Sequence, residues 1–130
     1  MRILLDTMVV IGAFGEAAQM DGAISKVLRK IGTRARAVVS TASLWEIAIK
    51  KGKGGLTAPD NLPELLEELA HVDILDIGVA HVWRTLSLPR FAQHKDPFDR
   101  LLVAQALEEN LTIATIDDAL ALYGAKLLRP

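Results

Sequence analysis

Arg2-Ile3-Leu4-Leu5-Asp6-Thr7 opens the chain with a short apolar run that stops on a carboxylate. Consecutive aliphatic side chains leave such a segment no polar face. It therefore reads as a strand buried on both sides, as in a parallel sheet covered by helices. Outward from it, residues 37–39, 72–77, 111–115 and 126–128 read as further strands. Between them lie helical stretches at 8–14, 21–31, 41–51, 62–70, 78–86, 97–109 and 117–123. The amphipathic stripe Ile24, Val27, Leu28, Ile31 ends at Gly32, and Gly52-Lys53-Gly54-Gly55 breaks the third helix into a basic loop. Strands alternating with helices across short links predict an α/β domain. The sheet is expected to be central, mostly parallel and of four to five strands, flanked by helices.

The chain has 130 residues, which suits one domain over residues 1–130. No run reaches the roughly 18 apolar residues of a membrane span. No small-residue cleavage site follows the N-terminal MRILLDTMVV, so no signal peptide is expected. Cysteine is absent, which excludes disulfides and thiolate metal sites and fits a cytoplasmic protein. The net charge of −1 conceals segregation. Residues 26–53 carry eight Lys or Arg, namely Lys26, Arg29, Lys30, Arg34, Arg36, Lys50, Lys51 and Lys53, against Glu46 alone. Residues 60–76 carry Asp60, Glu64, Glu67, Glu68, Asp73 and Asp76 with no Lys or Arg. Such blocks make solvated helix faces, a phosphate-binding surface, or two faces that answer each other within the fold or a dimer.

Asp96-Pro97-Phe98-Asp99-Arg100 begins the sixth helix. Asp96 is a natural N-cap, Pro97 lacks the N–H that the first helical position would waste, and Asp99 falls one turn on. In open parallel sheets, sites form beyond the carboxyl ends of the strands. Asp6 follows the first strand, Glu46 lies early in the helix after the second, Asp117 follows the fourth, and Asp99 enters the same layer. Four carboxylates on one edge repel unless a divalent cation neutralises them. Oxygen ligands without Cys or paired His suit Mg²⁺ or Mn²⁺.

Each acid has a plainer reading. Asp6 can cap the helix behind it, and Ser43-x-x-Glu46 can be a capping box, with Lys50 pairing Glu46 at i+4. Asp99 can simply favour the helix dipole, and Asp117 or Asp118 can cap the next helix. Arg100 can contact substrate or pair with Asp96. Lys50, Lys51 and Lys53 would lie within a few turns of the acids, where they could hold phosphates without reading sequence. His71, His81 and His94 show no metal-ligand spacing, and His94, just before Asp96, is the one to follow.

In order along the chain, Leu4-Leu5-Asp6-Thr7, Ser43-Leu44-Trp45-Glu46-Ile47-Ala48-Ile49-Lys50, Asp96-Pro97-Phe98-Asp99-Arg100-Leu101-Leu102-Val103-Ala104-Gln105-Ala106 and Thr115-Ile116-Asp117 resemble a PIN domain of the VapC toxin type. The resemblance implies a Mg²⁺- or Mn²⁺-dependent endoribonuclease acting on RNA, homodimeric, and silenced by a cognate antitoxin protein. It implies an acidic quartet of Asp6, Glu46, Asp99 and Asp117. Asp6 and Asp99 would be the direct metal ligands, with Asp96, Thr7 and Arg100 in support. The amphipathic helices at 21–31 and 62–70 are candidates to contact a second copy or the antitoxin. One departure stands out: many similar chains carry His two residues after the first Asp, where this one has Met8. Two other functions fit the fold. A haloacid-dehalogenase-like phosphatase would need a second Asp at that Met8 position, and a non-catalytic interaction module would keep the fold without turnover.

Overall fold

The computed structural model describes residues 1–15 and 22–130. Its sheet contains β1 (Arg2–Leu5), β2 (Arg36–Ser40), β3 (Val72–Leu75), β4 (Thr112–Ala114) and β5 (Leu127–Leu128), ordered β3-β2-β1-β4-β5. Every pairing is parallel, so the expectation of a mostly parallel sheet is met by five strands. The register sets Leu4 beside Val38 and Ile113, which makes β1 the centre of the sheet.

Alternation along these strands feeds two cores. Ile3, Leu5, Ala37 and Val39 face one way, onto Val9 and Val10 of α1 (Thr7–Phe14), Val27 of α2 (Gly22–Ile31) and Leu62 and Leu66 of α4 (Leu62–Glu68). Leu4, Val38 and Ile113 face the other way, onto Leu102, Val103 and Ala106 of α6 (Pro97–Glu109). β1 is thus buried on both faces, as its apolar run requires. In α1, a Cβ on Gly12 would run into Ile24 Cγ2, so glycine permits the close approach of α1 to α2.

α3 (Thr41–Gly52) follows β2 without a loop, its first N–H groups capped by Ser40, which accepts from Ala42 N–H at 3.0 Å. Ser43 therefore does not open a capping box; it lies inside the helix and receives the Thr7 hydroxyl at 3.1 Å. α5 (Val79–Arg84) is shorter than the 78–86 stretch predicts and tightens into a 3₁₀ turn over Thr85–Ser87. The last helical stretch is also 3₁₀, Asp118–Tyr123, closed by left-handed Gly124 at φ 72°. Asn110 ends α6 in the left-handed region, as a C-cap should. The predicted helix 21–31 is seen from Gly22, and residue 21 lies outside the described residues.

The basic and acidic segments do meet within the fold. Arg36 and Asp73 pair at 2.6 Å between neighbouring strands, and Lys51 pairs with Asp60 at 3.0 Å. Among the described residues no helix is long and apolar enough to cross a membrane.

Candidate metal centre at the carboxyl edge of the sheet

The strand order runs outward from β1 through β2 and β3 on one side, and through β4 and β5 on the other. The crevice beyond β1 and β4 is therefore the topological switch point, where parallel sheets bind ligands. Asp6 leaves β1 there. Its backbone still belongs to the sheet, donating to Ala114 O at 3.0 Å, while its side chain caps α1 by accepting from Val9 N–H at 3.0 Å. The cap reading of Asp6 holds, and it occupies one carboxylate oxygen.

The other Asp6 oxygen accepts from the Thr115 hydroxyl, and the same hydroxyl accepts from Asp117 N–H at 2.9 Å. Thr115 is fully buried and ties the ends of β1 and β4 to one another. Asp117 turns its own carboxylate to cap the following 3₁₀ helix at Ala119 N–H, 2.9 Å away. Asp6 is 5% exposed, and burial raises its pKa. Hydrogen bonds from Thr115 and Val9 oppose that rise, and the charge of Asp117 adds to it.

α6 brings the third acid. Asp96 caps it through Phe98 N–H at 2.8 Å and Asp99 N–H at 3.2 Å, with Pro97 at the first helical position. Asp99 then faces inward, with Oδ2 3.1 Å from His94 Nε2. Burial pushes the Asp99 pKa up to about 6, helped by the charges of Asp96 and Glu46 and opposed by His94. Among the described residues Arg100 bonds no carboxylate with its guanidinium, its link to Asp96 being the helical N–H to Asp96 O at 3.1 Å. It clamps the preceding loop, donating to Pro89 O at 2.7 Å and Thr85 O at 3.1 Å, with its guanidinium over the Tyr123 ring.

Glu46 arrives from α3 and is 7% exposed. Its Oε2 pairs with Lys50 at 2.9 Å, as the i+4 spacing predicts. Its Oε1 is, among the described residues, the buried side-chain polar atom with no hydrogen-bond partner. A buried carboxylate oxygen without a partner is costly, and a bound cation would satisfy it.

His94 is the residue whose part the sequence understates. It is buried, held by Tyr123 OH at 2.6 Å from Nδ1, with Nε2 toward Asp99. Ligand atoms of His94, Asp99 and Asp117 lie within 4.8 Å of one another. The donors on this edge are thus carboxylates with one imidazole, a set that fits a divalent cation of the Mg²⁺ or Mn²⁺ kind. Thr7 is buried and bonded to Ser43. Lys50 and Lys51 are engaged by Glu46 and Asp60, and Lys53 is exposed at the end of α3. Met8, two residues after Asp6, is 44% exposed.

The PIN domain family profile matches residues 3–126. Among curated proteins no sequence matches. Solved structures that share the fold include the VapBC2 complex of Rickettsia felis bound to a promoter DNA fragment. The TM-score is 0.68 at 16% identity, over 98% of this chain and 97% of that one. VapC20 of Mycobacterium tuberculosis, a sarcin-ricin loop cleaving toxin, matches at TM-score 0.68 and 17% identity, over 98% and 99%. FitAcB of Neisseria gonorrhoeae matches at 0.64 and 18%, over 97% and 96%. At such identities the likeness establishes a shared fold.

Proposed function

This chain belongs to the PIN domain family, and we propose on that footing that it is a divalent-metal-dependent endoribonuclease, the toxin of a toxin–antitoxin pair. The observation that carries the reading is the edge described above. There ligand atoms of His94, Asp99 and Asp117 lie within 4.8 Å of one another. The charge of Asp117 bears on Asp6 and that of Glu46 on Asp99, and one buried Glu46 oxygen is unpartnered. Neighbours in fold that are toxin–antitoxin complexes, and one that cleaves the sarcin-ricin loop, support the toxin role and an antitoxin partner. The chain acts as one nuclease domain over residues 1–130, as a cytoplasmic homodimer.

Asp6 and Asp99 are the direct ligands in this reading, and Glu46 and Asp117 hold water or a second cation. A bound Mg²⁺ or Mn²⁺ supplies a lowered water pKa and neutralises charge on a phosphodiester. The chain's own part is positioning. Asp96 fixes the start of α6 and so aims Asp99, Thr115 aims Asp6, and Arg100 holds the loop that carries His94. Thr7 locks α1 to α3 beneath Glu46. Lys53, together with Lys50 and Lys51 when released from their acids, meets RNA phosphates at the edge of the site.

The test is incubation with RNA in Mn²⁺ and in EDTA, beside p-nitrophenyl phosphate. Metal-dependent cleavage of RNA with no release of phosphate from the monoester is the expected result. Phosphate release would favour the phosphatase, and no cleavage of any RNA would favour the interaction module.

A further inference from the structure

Beside the acidic edge lies a cavity of about 490 Å³, walled by the loop that runs from the Thr85–Ser87 turn into α6. Its size falls within the roughly 300–1,000 Å³ of small-molecule sites. His94 belongs to both places: one ring edge meets Asp99, and the residue lines the cavity. The walls are preformed. Arg100 clamps the loop at Thr85 and Pro89, Phe91 and His94 close a tight turn through a backbone bond of 3.3 Å, and the Phe91 ring packs edge-on against Tyr123 at 5.2 Å.

The charge lining this cavity is of one sign. Arg90, Lys95 and Arg100 contribute cations, and among the described residues no Asp or Glu lines it. Arg90 and Lys95 are exposed, and among the described residues no hydrogen bond or ion pair engages their side chains. The lysines of α3 differ, since Lys50 is held by Glu46 and Lys51 by Asp60. Besides Lys53 at the end of α3, the loop before α6 therefore offers uncommitted cations beside the acids. Apolar and aromatic surface from Phe91, Ala92 and Pro97 lies between them. Cations spaced around a flat apolar wall fit a phosphate with its base.

We propose that this cavity binds a nucleotide of the RNA next to the scissile phosphate, with Arg90 and Lys95 on its phosphate and the base against the Phe91 wall. The proposal rests on the ribonuclease reading and names where that substrate is gripped. A nucleotide held here has its neighbouring phosphodiester on the His94–Asp99 side, so grip and chemistry share one wall.

The test titrates the full chain in EDTA with AMP, GMP, CMP and UMP, following backbone amide shifts, with inorganic phosphate and free nucleosides as separate arms. At least one nucleotide should move the amides of residues 90–95 and bind roughly tenfold tighter than phosphate alone. Arg90→Ala and Lys95→Ala should each weaken it at least about fivefold. Ala92→Trp, which plugs an exposed part of the wall, should do the same with both cations intact. Absence of shifts at 90–95, equal binding of bare phosphate, or unchanged binding by the variants would overturn the proposal. RNA cleavage is read separately in Mn²⁺. Wild-type cleavage whose KM is unchanged in all three variants removes the cavity's role and leaves the nuclease standing. Nucleotide binding by a chain that cleaves no RNA retains the cavity and removes the nuclease.

Discussion

Thr115 donates its hydroxyl to the carboxylate of Asp6, a residue 109 positions earlier in the chain, and accepts from Asp117 N–H with the same oxygen. One buried hydroxyl thus sets the orientation of the acid that follows β1 and of the turn that follows β4. Outer partners of this kind commonly change metal affinity about 10–100-fold when removed.

Thr115→Val keeps the shape and deletes the hydroxyl. It leaves a buried Asp6 oxygen and the Asp117 N–H without their partner, which costs about 1–3 kcal/mol. Urea denaturation should show that loss, and calorimetric titration should show weaker Mn²⁺ binding. Thr115→Ser should restore most of both. A valine variant that binds metal as wild type does would remove Thr115 from the site.

Much of this arrangement is legible in the sequence, for a physical reason. Strands buried on both faces read as apolar runs, so the acid that ends such a run announces the sheet edge, as Asp6 does after β1. Asp96-Pro97 likewise declares its helix locally, because a cap and its proline are fixed by adjacent backbone. Thr115 gave no such sign. A threonine is an ordinary strand residue, and its two partners depend on β4 lying beside β1. His94 was visible only as a neighbour of the motif, since its contacts to Asp99 and Tyr123 require the loop to fold back. Ser43-x-x-Glu46 misled in the opposite way: the spacing of a capping box is present, but the helix starts earlier, at Thr41 with Ser40 as its cap, and buries both residues. The Arg100 guanidinium, for which pairing with Asp96 was one expectation, holds carbonyls of a loop whose path local sequence does not encode.

The raised pKa values of Asp99 and Asp6 give the metal-free protein a signed pH dependence. Both carboxyls bind a proton more tightly folded than unfolded. Their contribution to stability is full below the unfolded value near 3.8 and is lost as pH rises, for Asp99 through about 6. In EDTA, wild type should therefore lose stability relative to Asp99→Asn between pH 5 and pH 7, read as the difference between their melting temperatures. With Mn²⁺ the slope reverses, because protons compete with the ion for these groups, and the metal-induced gain should shrink below about pH 6. Parallel melting curves for the two proteins across this range would contradict the assignment.

Glu46 tests whether the orphaned oxygen exists for a ligand. Glu46→Gln removes a charge that raises Asp99's pKa and breaks an ion pair whose lysine is half exposed, so metal-free stability should move by no more than about 1 kcal/mol. The gain on adding Mn²⁺ should fall instead. A hundredfold weaker Kd forfeits about 2.3 kcal/mol at an ion concentration of 100 times the wild-type value. Thermal shift with and without Mn²⁺ reads both quantities. A variant that unfolds without metal yet keeps the full Mn²⁺ shift would make Glu46 a structural residue only.

The most direct measurement compares RNA cleavage by wild type and Asp99→Asn, with Mn²⁺ and with EDTA, circular dichroism confirming that both are folded. Asparagine keeps the size of the side chain and a hydrogen bond to His94 while removing the charge. Wild type should cut RNA in Mn²⁺ and stop in EDTA, and Asp99→Asn should fall by more than the roughly 100-fold that supporting residues cost. Metal-dependent cleavage that survives in Asp99→Asn would contradict the role given to the acid that α6 carries into the site.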